Sequence, residues 1–557
     1  MFFKLFTPIA LFTLCCSGEK PPEVEMGYTY VSGKVVHAQN SSKPVYAFLG
    51  VPYASPPVGD LRFSYPKRLP PMDREFDATN HPPLCPQDVN ILEKAFSNYY
   101  FPRTDISEDC LYLNIYTPTL DKSAELAVMV WIHGGAFMNG GASAYDGSAY
   151  ATYQNVIFVA MNYRLGALGF LCTEDANAPG NYGLLDQQIA LRWIKSNIRH
   201  FGGDPSKVTI FGESAGGMSV GLHYLSRHSR GVFERGIAES GFANTPIAYT
   251  KNPKKWASVL ARELGCPDES NEDLINCLLE KPANEIVHAK LDVPNKPVIV
   301  FGPVVDGYFL PDDPIKLTFS SLFHRKDVLI GINNHEGGYS MLKTRISPDL
   351  AAQFSVEMFE PALNQMISSF LPGDNQNIVK KITKEYLLDD KDDLNALVKL
   401  TEVIGDSFFL TPAVTFVKLL TAAGGKSFLY EFQHRPSFAT SPEWVGADHG
   451  DEERFVIGFP LMVQNEESPI AYTTEEVQLA RTIMTYWANF AKYGDPNGDQ
   501  DGTSLAPHWQ PYNVDEQYYM KLDVTSELSQ NLKDDRVVFW TDILASLVST
   551  PSTKDEL

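Results

Sequence analysis

Residues 207–218 read Lys-Val-Thr-Ile-Phe-Gly-Glu-Ser-Ala-Gly-Gly-Met. The β-branched, apolar run Val208–Phe211 has the composition of a strand buried on both faces; it meets Gly212, and Ala215–Met218 opens a helical pattern that continues toward Leu225. A serine between strand and helix, with a glycine two residues to either side, is the G-x-S-x-G arrangement of a nucleophile elbow. The serine sits on a sharp turn, and the glycines stand where side chains would collide. Ser214 is therefore the candidate nucleophile. The pattern is short enough to recur by chance, so its weight depends on what the rest of the chain supplies.

Working outward, Leu126–Ile132, Val156–Asn162, Val328–Ile332 and Phe428–Phe432 are further short runs rich in valine, isoleucine and aromatics. Helical patterns separate them. In Asp186–Phe201 the apolar residues Ile189, Trp193, Ile194, Ile198 and Phe201 share one stripe, with Asp186 placing negative charge in the first turn, and Val477–Tyr493 reads as another helix. Strand alternating with helix predicts an α/β fold, a large mostly parallel sheet covered on both faces. Residues 345–425 are richer in helical pattern and are expected as an insertion over one end of that sheet. Tyr28–Ala38 alternates around Ser32-Gly33 and reads as an edge hairpin, whereas Phe48–Gly59 is proline-rich and reads as a fixed surface loop. No repeat and no separating linker is visible, so residues 19–553 are expected as one domain.

Hydrophobic residues make up 44% and charged residues 20% of the 557, values of a chain with a large core. A net charge of −22, from 46 Lys+Arg against 68 Asp+Glu, repels phosphate backbones and argues against nucleic acid and anionic membrane surfaces as partners. Residues 1–18 combine Lys4, a short apolar stretch and small residues, the makeup of a cleaved signal peptide. The chain ends Lys554-Asp555-Glu556-Leu557, a retrieval signal read by a receptor of the endoplasmic reticulum. A lumenal protein without a membrane anchor is expected. Cysteine usage fits that compartment: Cys85 and Cys110, and Cys266 and Cys277, are near neighbours in polar stretches suited to two disulfides, while Cys172 lies in an apolar run and reads as a buried thiol. Spacing alone does not fix the connectivity. Asn40-Ser41-Ser42 is the single N-x-S/T sequon free of proline and makes Asn40 the candidate glycosylation site.

A serine hydroxyl needs a base, and the base needs an orienting acid; in folds of this kind they follow in the order serine, acid, histidine. Glu336 follows the strand Val328–Ile332 in the turn Asn333–Gly338, at the carboxyl end of the sheet where ligands meet open α/β folds. His335 beside it is a rival base, although adjacent residues on a turn point apart. His449 follows the strand Phe428–Phe432 in the polar loop Gly446–Glu452, and is chosen over His434 and His508, whose contexts suit packing or solvent. Asp448, His449, Asp451 and Glu452 are also potential metal ligands, but no second histidine or cysteine lies at a ligand spacing; neither a metal nor a cofactor is expected. His133-Gly134-Gly135-Ala136-Phe137 follows the strand Leu126–Ile132 directly, and with the serine motif it reads as an oxyanion loop whose donors are the N–H groups of Gly135, Ala136 and Ala215.

With these residues in place, the chain resembles the type-B carboxylesterases of the carboxylesterase/cholinesterase family. The likeness runs from Phe48 to about Tyr512 and includes S-E-D-C-L-Y-L-N at 107–114, N-Y-R-L-G-A-L-G-F at 162–170, G-N-Y-G-L-L-D-Q at 180–187, N-H-E-G at 334–337, H-G-D-E at 449–452 and W-Q-P-Y at 509–512. The resemblance implies an α/β-hydrolase fold, a Ser214–Glu336–His449 triad, disulfides Cys85–Cys110 and Cys266–Cys277, and hydrolysis of a small-molecule carboxylic ester. Lipase action on longer acyl esters and a non-catalytic adhesion role are the alternatives within that family, and the second expects a missing nucleophile and a membrane tether. Two departures stand out. Ala136 replaces the third glycine of the family's oxyanion loop, where its methyl group crowds the acyl side. Choline esterases carry a tryptophan ten residues before the second loop cysteine; Tyr100 stands there, and residues 86–109 contain no tryptophan.

Overall fold

The computed structural model describes residues 21–548 except 28, 71–74, 96–98, 292, 294–296, 321–325, 343–350, 352, 369–374, 388–391, 464–469 and 499–506. The leader (1–18) and the retrieval tail (554–557) read from the sequence therefore lie outside the described residues.

In chain order the strands are β1 (Glu23–Met26), β2 (Thr29–Ser32), β3 (Lys34–Val36), β4 (Val45–Pro52), β5 (Glu75–Asp77), β6 (Tyr112–Thr117), β7 (Leu126–Ile132), β8 (Ile157–Met161), β9 (Gly203–Glu213), β10 (Arg235–Glu239), β11 (Val328–Asn333), β12 (Ser427–Phe432), β13 (Tyr518–Leu522) and β14 (Glu527–Gln530). Eleven of them form one sheet in the order β14-β13-β12-β11-β10-β9-β7-β8-β6-β4-β3, and β1, β2 and β5 form a small second sheet. From β13 through β8 every pairing is parallel; the outer pairings on both sides are antiparallel. Period-two alternation sorts the strands' side chains into two cores. Along β7, Val128, Val130 and Ile132 join the core on one face, and Ala127, Met129 and Trp131 join the core on the other.

The helices that matter to the site are α1 (Tyr182–Asn197), α2 (Ala215–Leu225), α3 (Asp393–Gly405), α4 (Thr411–Ala422) and α5 (Thr474–Tyr493). α2 packs on β9 and β10 directly behind the serine. Helices Val356–Ser368, Gln376–Tyr386, α3 and α4 account for the helix-rich stretch expected over 345–425. The run Asp393–Ala422 is long and apolar enough to cross a membrane by composition, but 83% of its most apolar window is buried inside the fold, which makes it a core element.

Several local expectations are corrected. Phe48–Pro52 belongs to β4, with Phe48–Val51 buried, and is not a surface loop: the strand's only proline, Pro52, is its last residue, and Gly50, at φ 77°, absorbs a register shift between Leu49 and Val51. β2 and β3 do not form a hairpin; β2 pairs with β1 and β5, β3 pairs with β4, and Tyr28 lies outside the described residues. Asp186 is not in a first helical turn, because α1 starts at Tyr182; its fully buried carboxylate instead pairs with Arg164 through bonds of 2.7 and 2.8 Å. Both disulfides form, Cys85–Cys110 and Cys266–Cys277, and Cys172 is a buried free thiol. Cys85 and Cys110 lie in the core rather than in polar surroundings.

The two disulfides span 25 and 11 residues. Loop-closure entropy assigns about 3.5 kcal/mol to the first and about 3 kcal/mol to the second. Replacing Cys85 and Cys110 by alanine should therefore lower the thermal midpoint further than replacing Cys266 and Cys277, at matched scan rate; midpoints equal to wild type in both would contradict this.

Candidate active site

β9 ends at Glu213, α2 begins at Ala215, and Ser214 between them is held at φ 55° and ψ −119°. A non-glycine residue at positive φ is strained, and such strain is tolerated where the surroundings over-determine it. Here Ser214 N donates to Glu239 O at 2.9 Å, and a Cβ at Gly212 or Gly216 would collide with the carbonyl of Ile132 on β7. The motif glycines thus let three backbones converge beneath the serine.

The loop after β7 lies against the same turn. A Cβ on Gly134 would meet Ser214 Cβ at 3.3 Å, and Gly135, Ala136 and Phe137 all have positive φ. The backbone N–H groups of Gly135, Ala136 and Ala215 have no hydrogen-bond partner among the described residues. His133 anchors the loop's start: its ring stacks on Tyr163 at 4.4 Å and its carbonyl accepts from Tyr163 Oη at 2.8 Å. Burial lowers the pKa of His133 to about 4, so it is neutral in the working range.

The other two candidates arrive on loops that are zipped to each other. His335 N donates to Ala447 O at 3.1 Å, Ala447 N donates to Asn334 Oδ1 at 2.9 Å, and Asp448 accepts from the N–H and hydroxyl of Ser340 and from His449 N. This brings Glu336 and His449 together across 113 residues: Glu336 Oε2 lies 2.6 Å from His449 Nδ1, and Glu336 Oε1 accepts from Asn333 N at 2.7 Å. On the far side of the ring, His449 Nε2 lies 3.0 Å from Ser214 Oγ. A carboxylate accepting at Nδ1 fixes the Nδ1–H tautomer and leaves the Nε2 lone pair for the serine proton. His335 turns away, with Nε2 3.2 Å from Thr401 Oγ1 and its ring against Trp444. His434 packs between Glu476 and Asp523, and His508 is exposed. Asp448, Asp451 and Glu452 diverge: Asp451 accepts from Asp448 N, and Glu452 accepts from Ser240 Oγ and Asn333 Nδ2. Asn40 is exposed on a turn at φ 57°.

The structure adds residues that the sequence reading did not single out. Glu213, beside the serine, places Oε1 3.3 Å from His449 Nε2. Below it lie Glu239, which accepts from Trp487 Nε1, and Glu452 and Glu453, all buried. Burial and their mutual repulsion push Glu213 and Glu239 well up, while burial raises Glu452 to about 8 and Glu453 to about 7. Burial and mutual repulsion thus disfavour the simultaneous ionisation of these acids beneath Ser214. A carboxylate closing an otherwise apolar strand, as in Val208–Glu213 or Gly236–Glu239, is the signal that could have found them.

A family model described as the Carboxylesterase family matches residues 20–540. The chain belongs to the carboxylesterase family. It is 38% identical over 555 residues to a protein of Anas platyrhynchos named fatty acyl-CoA hydrolase precursor, medium chain, covering 98% of this chain and 97% of that one. It is 40% identical over 527 residues to carboxylesterase 5A of Canis lupus familiaris, covering 93% and 89%, and 39% identical over 533 residues to cocaine esterase of Homo sapiens, covering 94% and 92%. The eleven-stranded mixed sheet flanked by helices is the α/β-hydrolase fold of this carboxylesterase family. Within it, the carboxylesterase chain carries Ala136 at φ 55°, and Tyr100 is 46% exposed.

Proposed function

We propose that this protein hydrolyses carboxylic esters through an acyl-enzyme on Ser214, with His449 as general base and acid and Glu336 as its orienting partner. The observation that carries the reading is the hydrogen-bonded line from Ser214 Oγ through His449 to Glu336, at 3.0 and 2.6 Å, beside three backbone N–H groups that are unpaired among the described residues. His449 Nε2 takes the Ser214 proton as Oγ bonds to the ester carbonyl carbon. The N–H groups of Gly135, Ala136 and Ala215 receive the charge that develops on the carbonyl oxygen. The imidazolium then protonates the alkoxy oxygen as the C–O bond breaks and the alcohol leaves. Water enters, gives a proton to Nε2 and its oxygen to the acyl carbon, and Ser214 departs with that proton as the carboxylic acid forms.

p-Nitrophenyl esters graded by acyl length test the reading: saturable turnover of the short esters is expected, and no turnover of any would contradict it. Longer acyl chains are the second reading, supported by the name of the Anas platyrhynchos relative, and a kcat/KM that climbs with chain length would favour it.

The pH profile follows from the site. Burial disfavours the charged imidazole, but the hydrogen bond and charge of Glu336, with Glu452 and Asp448, outweigh it and raise His449 above its ordinary 6.5. The neutral ring is the active form, so kcat/KM should rise with pH through a value above 6.5; a limb centred below about 6 would contradict the assignment. Protonated His449 contributes stability that is full below its unfolded value of about 6.5 and is lost as pH rises through the folded value, the range in which activity appears.

The single domain over 19–553, the leader at 1–18, the glycan on Asn40 and retention in the endoplasmic reticulum belong to the same proposal. The exposed turn at Asn40, the two disulfides and the terminal Lys554–Leu557 support it. Deleting those four residues should send the protein into the medium, whereas retention of the deleted form would contradict the role given to the tail.

A further inference from the structure

One helical run passes behind both the acid and the base. Between α3 and α4 its middle residues, Asp406–Leu410, are wound as a π-turn. Such turns are rare and are frequent at functional sites, because the extra residue per turn takes a side chain out of the α-helical register. Pro412 has no N–H to offer the carbonyl of Phe408, and Thr245 Oγ1 supplies that bond from outside the helix at 3.1 Å; Asn244 Nδ2 donates to Pro412 O at 3.0 Å. Both donors lie on the loop after β10, the strand beside the serine strand β9.

What this turn delivers is Phe409. Its side chain is buried, and its ring lies 4.7 Å from the His449 imidazole at a tilt of 43°. The same run touches the acid: a Cβ on Gly405 would meet Glu336 Cβ at 3.5 Å, and a Cβ on Gly337 would collide with the Thr401 carbonyl. His449 Nε2 meanwhile faces two oxygens, Ser214 Oγ at 3.0 Å and Glu213 Oε1 at 3.3 Å. Once the ring carries two protons, a swing toward Glu213 would take the transferable proton away from the leaving alcohol.

We propose that Phe409 is a positioning residue that walls the imidazole onto the line from Glu336 to Ser214 and keeps Glu213 from capturing it. The inference rests on His449 being the base of the proposed mechanism.

The test is steady-state hydrolysis of p-nitrophenyl acetate by the full chain. Phe409→Ala should lower kcat about a hundredfold, the cost of a misplaced catalytic group, with KM within about twofold. Phe409→Leu, which refills most of the volume, should recover most of the loss and carries the comparison if the alanine variant does not fold. In a Glu213→Gln background no carboxyl remains to pair with the ionised ring, and the loss caused by either Phe409 substitution should shrink to less than about tenfold. Phe416→Ala, another buried phenylalanine of the same run with its ring on Tyr224, should leave kcat near wild type. Equal losses with and without Glu213→Gln, an unchanged kcat in Phe409→Ala, or an equal loss in Phe416→Ala would each overturn the inference. Wild-type turnover in His449→Ala would instead remove the base assignment on which it stands.

Discussion

Ser214→Ala should lower kcat for a simple aryl ester by about a million-fold while leaving the fold intact, because a nucleophile and base that act as a unit lose nearly everything when one is removed. The substitution deletes one oxygen. It keeps the Cβ against Gly134 and the backbone bond to Glu239, so the elbow has no reason to rearrange. Residual turnover reports what the N–H groups of Gly135, Ala136 and Ala215 and substrate binding achieve alone. Turnover within tenfold of wild type would mean that another group attacks the ester.

Glu336→Gln is the second large effect, about ten-thousand-fold in kcat with little change in the fold. The amide keeps the side chain's shape, and its oxygen can still accept from Asn333 N as Oε1 does now. Its NH2 group then faces His449 Nδ1 in place of the carboxylate oxygen at 2.6 Å. A donor at that position forces Nδ1 to accept and moves the ring proton to Nε2, where it points at Ser214 Oγ and cannot be exchanged for the serine's own. The loss should appear in kcat for every ester, whatever its acyl group. An effect below tenfold would mean that the Glu336 carboxylate is not what orients the ring.

The fold was legible wherever a stretch's own pattern decided its fate. Leu126–Ile132 matches β7 at both ends because a strand buried on both faces is apolar throughout. α5 begins at Thr474, three residues before the apolar pattern at Val477, because Thr473 and Glu476 close a capping box that stood in the sequence. β4 was not legible, since Pro52, Pro56 and Pro57 argue locally for a loop, and only its partners β6 and β3 show that the strand runs up to Pro52. The same limit applied to Asp186, whose partner Arg164 sits 22 residues away. In the site, Ser214, Glu336 and His449 each follow a strand on a loop with nearby glycines, and the resemblance to carboxylesterases is what most favours Glu336 and His449 among their rivals. Glu213 was overlooked inside the very motif that named Ser214, because its importance lies in a distance to His449 that no spacing encodes. Phe409 was invisible for a related reason: one phenylalanine in an apolar helix looks like core until a π-turn aims it at a histidine.

The most direct measurement is mass spectrometry of the protein after reaction with an organophosphate ester and proteolysis. One phosphoryl adduct per chain is expected, on the peptide that carries Ser214, formed in step with the loss of esterase activity and absent from Ser214→Ala. An adduct on another residue, or complete labelling of Ser214 with turnover undiminished, would contradict it.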